Sequence, residues 1–401
     1  MKNTLSFLMI MLCLNAFSQE YRYHKAQLHC HSTNSDGNMS PQTVAQQYLS
    51  KGYEILFLTD HNHMTPSSDY FQEGLLTFNS EEYTFDKHIN GFFLDHTVDA
   101  TGFTVQQAID SIKAQGGLCQ FNHPVVAATN DWSYTYSQFM ELHNGPDLIE
   151  IHNAGTDMIP LGTFNRAIWD SILSSNKIIW GTSTDDMHKL TEGLVIPTID
   201  IGWVMIRCNT LSEDSVYAAL LRGDFYGTNG IEISHYSVEG NTINISSTNA
   251  TKIKFFGDNG QLYFEVNGSS ATYRRTNQKY LRIELENNGT YGVGAKYAFT
   301  QPVFFNSTSD VENNIDFQHN LSIYPNPCTD KLNVCFNTER ESKILFEIYD
   351  LTGKILMSEN NSTPNAGFND LPYDVSKLKP GIYLNKITIN GVRFVRKITK
   401  I

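Results

Sequence analysis

Between residues 24 and 210, short apolar runs alternate with longer amphipathic stretches, and nearly every apolar run is followed by a histidine or a carboxylate. The strand-like runs are Ala26–Cys30, Glu54–Thr59, Leu75–Phe78, Leu118–Phe121, Leu148–Ile151, Lys177–Trp180 and Trp203–Cys208. The stretches between them carry helix signatures. Ser40-Pro41 reads as a cap with proline in the first turn, and Gly52 as the stop. Thr104 opens a segment over Val105–Ala114 that closes at Gly116, Phe164–Leu173 carries an apolar stripe, and Ser212 opens a helix ending near Gly223. Repeated strand–helix units with short buried strands predict a parallel sheet or barrel. The C-terminal ends of such strands are where a barrel gathers its chemistry.

Eleven of the thirteen histidines fall between residues 24 and 188. His29 and His31 end the first strand, and a spacing of two puts both rings on one face. Cys30 between them points the other way and reads as a small buried hydrophobe. Asp36 follows on a turn, His61 ends the second strand, and Glu82 and His88 follow the third. His123 follows the fourth, and Asp186 and His188 repeat the spacing of two. A lone histidine at a strand end is usually structural, but nine donors at successive strand ends predict a metal centre. Imidazole and carboxylate hold divalent ions of borderline softness such as Zn, Mn or Fe. A carboxylate such as Glu82 can bridge two of them. Two ions about 3.5–4 Å apart clamp both oxygens of a displacement. His24, His63, His96, His143 and His152 read as supporting or surface residues, and Glu150 with His152 as the rim.

Composition narrows the function. The formal net charge of −13 repels a phosphodiester backbone, which argues against a stable nucleic-acid complex. It leaves small phosphate esters open, because bound ions supply a local positive field. The first 18 residues read as a signal peptide: Lys2, the apolar run Leu5–Leu14, then Ala16-Phe17-Ser18. A lipoprotein reading would use Cys13, but Leu12 before it is large. No later stretch predicts a transmembrane helix. The remaining cysteines, Cys30, Cys119, Cys208, Cys328 and Cys335, are too few and sparse for a disulfide framework.

Past residue 232 the helical period disappears, and residues 233–305 predict a small β-sandwich with strands at Lys252–Phe256, Leu262–Val266 and Tyr280–Leu285. Residues 306–320 read as a polar linker. Residues 321–401 predict a second β module, with strands at Ile344–Tyr349 and Ile382–Ile389.

The motifs resemble those of the polymerase and histidinol phosphatase (PHP) superfamily. They are Leu28-His29-Cys30-His31-Ser32 with Ser35-Asp36-Gly37, Thr59-Asp60-His61, Glu82-Tyr83-Thr84, Asn122-His123-Pro124 and Asp185-Asp186-Met187-His188. The resemblance covers residues 22–232, within a domain taken as 19–232. It implies a distorted seven-stranded βα barrel and two or three divalent ions. His29, His31, Glu82 and Asp186 would hold one, Glu82, His88 and His123 a second, and Asp36, His61 and His188 a third. Gln27 stands where many members carry Asp, which would alter a supporting contact. Leu220–Gly230 and Ala298–Pro302 are similar to the carbaryl-hydrolase-like branch. Residues 321–401 resemble a type IX secretion sorting domain. They carry Ile323-Tyr324-Pro325-Asn326-Pro327, Tyr349-Asp350-Leu351-Thr352-Gly353-Lys354, Leu378-Lys379-Pro380-Gly381-Ile382-Tyr383 and the basic end Val395-Arg396-Lys397-Ile398.

The expected function is a secreted or cell-surface phosphoesterase, exported through the periplasm by the type IX machinery. It would cleave mono- or diesters with a metal-bound hydroxide lying among His123, His188 and Asp36. Arg222 would hold a phosphate, or else close a helix end in a salt bridge. A carboxylesterase or carbamate hydrolase on the same ions, and a non-catalytic metal-stabilised binding protein, are the alternatives.

Overall fold

The computed structural model describes residues 22–401 apart from 99–100, 125–133, 143–144, 156–164, 191–197, 288–295, 306–321, 339–341, 351–353, 363–366 and 390–391. The expected signal peptide, Cys13, His143 and the linker 306–320 lie outside the described residues.

The first half runs β1 (Arg22–Gln27), α1 (Pro41–Ser50), β2 (Ile55–Phe57), β3 (Leu76–Phe78), β4 (Ser80–Tyr83), β5 (Ile89–Phe92), α2 (Val105–Ala114), β6 (Leu118–Phe121), α3 (Tyr136–Glu141), β7 (Leu148–Asn153), α4 (Arg166–Ser174), β8 (Trp180–Thr184), β9 (Trp203–Cys208), α5 (Glu213–Arg222) and β10 (Phe225–Thr228). The helices start where their caps do. The Ser40 hydroxyl accepts from the Thr43 amide, and α1 buries Val44, Ala45 and Tyr48. Thr104 and Gln107 form a reciprocal capping box on α2. Thr104→Ala is expected to lower stability by about 1 kcal/mol in a thermal melt, with metal content unchanged. Gly223 ends α5 in the left-handed conformation, φ +75°.

These strands form two sheets. β1, β2 and β3 run parallel, with β9 antiparallel to β1 and β10 to β9. β4 to β8 form the second sheet, parallel from β6 to β8 and antiparallel from β4 to β6. Isolated bridges His61–Glu82 and Cys30–Met187 tie the sheets together. The α/β class matches the expectation, and the strands lie in two sheets of mixed direction. The connection from β4 to β5 is too short for a crossover helix, so they pair as a hairpin.

The expected separate sandwich at 233–305 is joined to the first half. It runs β11 (Ile233–Glu239), β12 (Thr242–Ser247), β13 (Lys252–Gly257), β14 (Gln261–Asn267), β15 (Ser270–Arg274), β16 (Tyr280–Glu286), β17 (Tyr297–Thr300) and β18 (Val303–Phe304). β11, β12 and β15 form one sheet, but β17 pairs with β10, so the other sheet continues into β9, β1, β2 and β3.

The third part holds β19 (Ser322–Tyr324), β20 (Lys331–Thr338), β21 (Lys343–Tyr349), β22 (Ile355–Ser362), β23 (Gly367–Asp374), β24 (Gly381–Ile389) and β25 (Val392–Lys400). They form two sheets around Phe346, Tyr373, Ile387 and Ile398. All five described cysteines are free and buried. Among the described residues no helix is long and apolar enough to cross a membrane.

Candidate metal centre

Main-chain pairing brings the donors together. The His31 amide donates to the Met187 carbonyl at 2.8 Å, and the Asp186 amide to the His29 carbonyl at 3.0 Å. The two spaced pairs, His29/His31 and Asp186/His188, are therefore zipped side by side. On the other flank the Glu82 amide donates to the Asp60 carbonyl at 3.0 Å, and the Asn62 amide to Glu82 at 2.7 Å. This sets Glu82 beside His61. The buried Asp60 carboxylate accepts from the Ser32 amide, Ser32 Oγ, Ser35 Oγ and Thr65 Oγ1 at 2.6–2.8 Å. Those bonds pin the loop that carries Asp36. Cys30 is buried in an apolar cluster with Val44, Tyr48 and Leu58, away from the histidines.

All nine expected donors converge, in three groups whose ligand atoms lie within 4.8 Å of one another. One is His29, His31 and Asp186; a second is Glu82, His88 and His123; the third is His31, Asp36, His61 and His188. His31 thus faces the outer group as well as the inner one. Glu82 is the hub. Its oxygens lie 2.8 Å from His61 Nδ1, 3.1 Å from His88 Nδ1, 3.5 Å from His29 Nε2, 3.6 Å from His31 Nε2 and 3.7 Å from His123 Nε2. Asp186 Oδ1 lies 3.2 Å from both His29 Nε2 and His31 Nε2. Asp36 reaches His61 and His188 at 3.5 Å each.

The electrostatics follow from that packing. Burial opposes ionisation of Glu82, but His29, His123 and His61 outweigh it and hold its pKa well below the usual carboxylate range. Asp186 is lowered in the same way, chiefly by His29 and His31. Burial also opposes protonation of His29, yet Asp186, Glu150 and Glu82 raise its pKa well above that of a free imidazole. For His31 burial wins and its pKa falls. His123 and Asp186 adopt φ +28° and +50°, which costs about 1–3 kcal/mol at a non-glycine residue and tends to occur at functional sites.

The donor set suits divalent ions of the Zn, Mn or Fe kind. Nε2 of His29 is buried and makes no hydrogen bond, although two carboxylates face it. A cation between them satisfies all three groups.

Other sequence-level assignments land elsewhere. The structure does not bring Arg222 to this cluster. Its guanidinium pairs with Asp224 at 2.7 and 3.0 Å, at the end of α5. The neighbouring Leu221 carbonyl accepts from Trp180, the first residue of β8, whereas Asp186 lies beyond the other end of that strand. His24 pairs with Glu54, and His63, His96 and His235 are exposed. Glu150 and His152 are not rim residues, because both are buried in β7. Burial lowers the His152 pKa to about 3, so this ring stays neutral beside Ser183 Oγ. Asp185 accepts three main-chain amides and the Tyr48 hydroxyl, and burial raises its pKa to about 6. Gln27 accepts from the His29 and Asp185 amides, supporting the ligand strips from behind. Asn122 and Asn153 are supports to which the sequence reading gave no role, donating to Glu82 and Asp186.

The chain is similar to several solved structures. One is a two-domain protein from Bacteroides vulgatus containing a predicted PHP-like metal-dependent phosphoesterase, at 18% identity over 70% of this chain and 95% of that one, TM-score 0.41. Another is described as a metal-dependent phosphoesterase from Bifidobacterium adolescentis, at 14% identity over 41% and 87%, TM-score 0.33. A third is an amidohydrolase from Chromobacterium violaceum, at 15% identity over 42% and 89%, TM-score 0.32. No curated protein matches the sequence. Residues 322–400 match the family model of the secretion system C-terminal sorting domain, whose pattern the C-terminal β module carries.

Proposed function

We propose that the first half of this chain is an exported metal-dependent phosphoesterase. The observation that carries this reading is the convergence of six imidazoles and three carboxylates around Glu82 and Asp186. Three divalent ions would outweigh the three ligand carboxylates and Glu150 together, leaving a positive field that favours an anionic ester over a neutral one. His29, His31, Glu82 and Asp186 would hold one ion, Glu82, His88 and His123 a second, and Asp36, His61 and His188 a third. Bound there, divalent ions would supply Lewis-acid polarisation of the phosphoryl oxygens and a lowered pKa for water. The buried ligands exclude bulk water from the inner end. The mouth, where the Asp36 and His188 side chains are 56% and 32% exposed, is open to solvent, which supplies the proton that the leaving oxygen takes up. The sorting-domain pattern supports secretion or cell-surface display through the type IX machinery.

Turnover of an aryl phosphate monoester, an aryl phosphodiester and an aryl acetate tests the reaction, on wild type and His29→Ala. Phosphate-ester turnover lost in the variant is expected. Acetate turnover without phosphate turnover would move the assignment to a carboxylesterase.

Exposure predicts an order of metal loss. Asp36, His188 and His61 side chains are 56%, 32% and 23% exposed, whereas those of His29 and Glu82 are at most 1% exposed. Limited chelation is expected to strip the outer ion in a fast phase and the inner ions slowly. Loss of all metal in one phase counts against this order.

A further inference from the structure

We infer that Glu150 is a positioning residue that orients two metal-ligating histidines at once, and the inference rests on the metal-dependent reading above. Glu150 sits in β7, fully buried. A buried carboxylate is costly unless its oxygens are satisfied, and these are satisfied by groups of the metal centre. Oε1 accepts from His29 Nδ1 at 2.7 Å, Thr184 Oγ1 at 2.7 Å and Gln120 Nε2 at 3.4 Å. Oε2 accepts from the His123 main-chain amide at 2.6 Å and Asn153 Nδ2 at 2.8 Å.

Each contact has a consequence for a ligand. An ionised carboxylate only accepts, so the His29 proton is held on Nδ1. In the neutral ring, Nε2 then carries the lone pair, and it points at the space between Asp186 and Glu82. This is the carboxylate–histidine–metal arrangement that fixes ring orientation and raises ligand basicity. The second contact acts through the main chain. His123 has φ +28°, and its amide is held by Glu150 while its Nε2 lies 3.7 Å from Glu82. Glu150 therefore holds the strained turn that aims the ring. His29 and His123 belong to different donor groups, so one carboxylate supports two ion sites. Asn153 extends the hold, donating to Glu150 and also to Asp186 Oδ2 at 3.1 Å.

Glu150→Gln keeps the volume but sets an amide N–H₂ against one of these donors. The test uses mature protein, with Zn²⁺ affinity measured by chelator competition and the visible spectrum of the Co²⁺-loaded chain. Zn²⁺ affinity is expected to fall about 10–100-fold, with a changed Co²⁺ spectrum. Asp170→Asn, at a buried acid outside the donor groups, should lower the melting temperature and leave both readouts unchanged. Should Glu150→Gln fail to fold, Glu150→Asp, one methylene shorter, is expected to reach only one of the two histidines and weaken binding less. Wild-type affinity and spectrum in whichever variant folds overturn the inference alone. A wild-type chain that binds neither Zn²⁺ nor Co²⁺ overturns the metal reading, and the inference with it.

Discussion

Glu82→Gln is expected to lower the divalent metal held per chain by at least one ion and phosphate-ester turnover by at least ~100-fold. The glutamate sits within 3.7 Å of five imidazoles. An amide keeps one acceptor oxygen, loses the charge and presents an N–H₂ to groups that need a cation or an anion there. Its main chain is fixed on both sides by Asp60 and Asn62, so the side chain cannot swing away to relieve the mismatch. Glu81 supplies the control. It carries the same chemistry one residue earlier, points the other way and accepts from the Val98 amide at 2.9 Å, and burial raises its pKa to about 7. Glu81→Gln is expected to retain metal and activity. Metal analysis of the two variants side by side decides the matter; equal metal in both would remove Glu82 from the centre.

The second large effect concerns the join between the first half and the β-rich module. Arg282, fully buried on β16, donates to both carboxylate oxygens of Asp170 on α4 at 2.6 and 2.7 Å. Its remaining nitrogen donates to Glu284, and the Tyr280 hydroxyl also donates to Asp170, at 2.8 Å. Arg166, the first residue of α4, reaches Glu284 at 3.0 Å. Burial opposes the charge on Arg282, but Glu284 and Asp170 raise its pKa further. Arg282→Met leaves two buried carboxylates without their main partner, and a loss of about 3–5 kcal/mol is expected. At about 2–4 °C per kcal/mol in a domain of this size, a melt followed by circular dichroism resolves it. Metal per folded chain should be unchanged. A loss below about 1 kcal/mol would mean that the two parts are held by the shared sheet alone.

The donor residues were legible in the sequence because extended chain makes spacing diagnostic. His29 and His31, two apart, both reach Asp186, and Glu82 follows a short apolar run; Asp186 and His188 repeat the spacing just past β8, although Asp186 itself is left-handed at φ +50°. The caps Ser40, Thr104 and Ser212 placed three helices to within a residue or two. What stayed hidden was held by long-range polar contacts. β8 was displaced to Lys177–Trp180 because the true strand is polar. Thr182, Ser183 and Thr184 are buried, and they bond to Gln120, Tyr297 and Glu150. Hydropathy cannot see a polar residue whose partner lies more than 30 positions away. Glu150 was misplaced for the same reason. For Arg222 the second of its two readings, a salt bridge closing the helix end, is what forms, with Asp224 two residues on. The continuity of the sheet depends on β10 pairing with β17, which no local pattern announces.

Metal content of the purified chain, measured by mass spectrometry after purification without chelators, tests the central claim most directly. Two or more divalent ions per chain, reduced in Glu82→Gln, is the predicted result. A folded chain that contains no divalent ion and takes up none when Zn²⁺, Mn²⁺ or Fe²⁺ is added would contradict it.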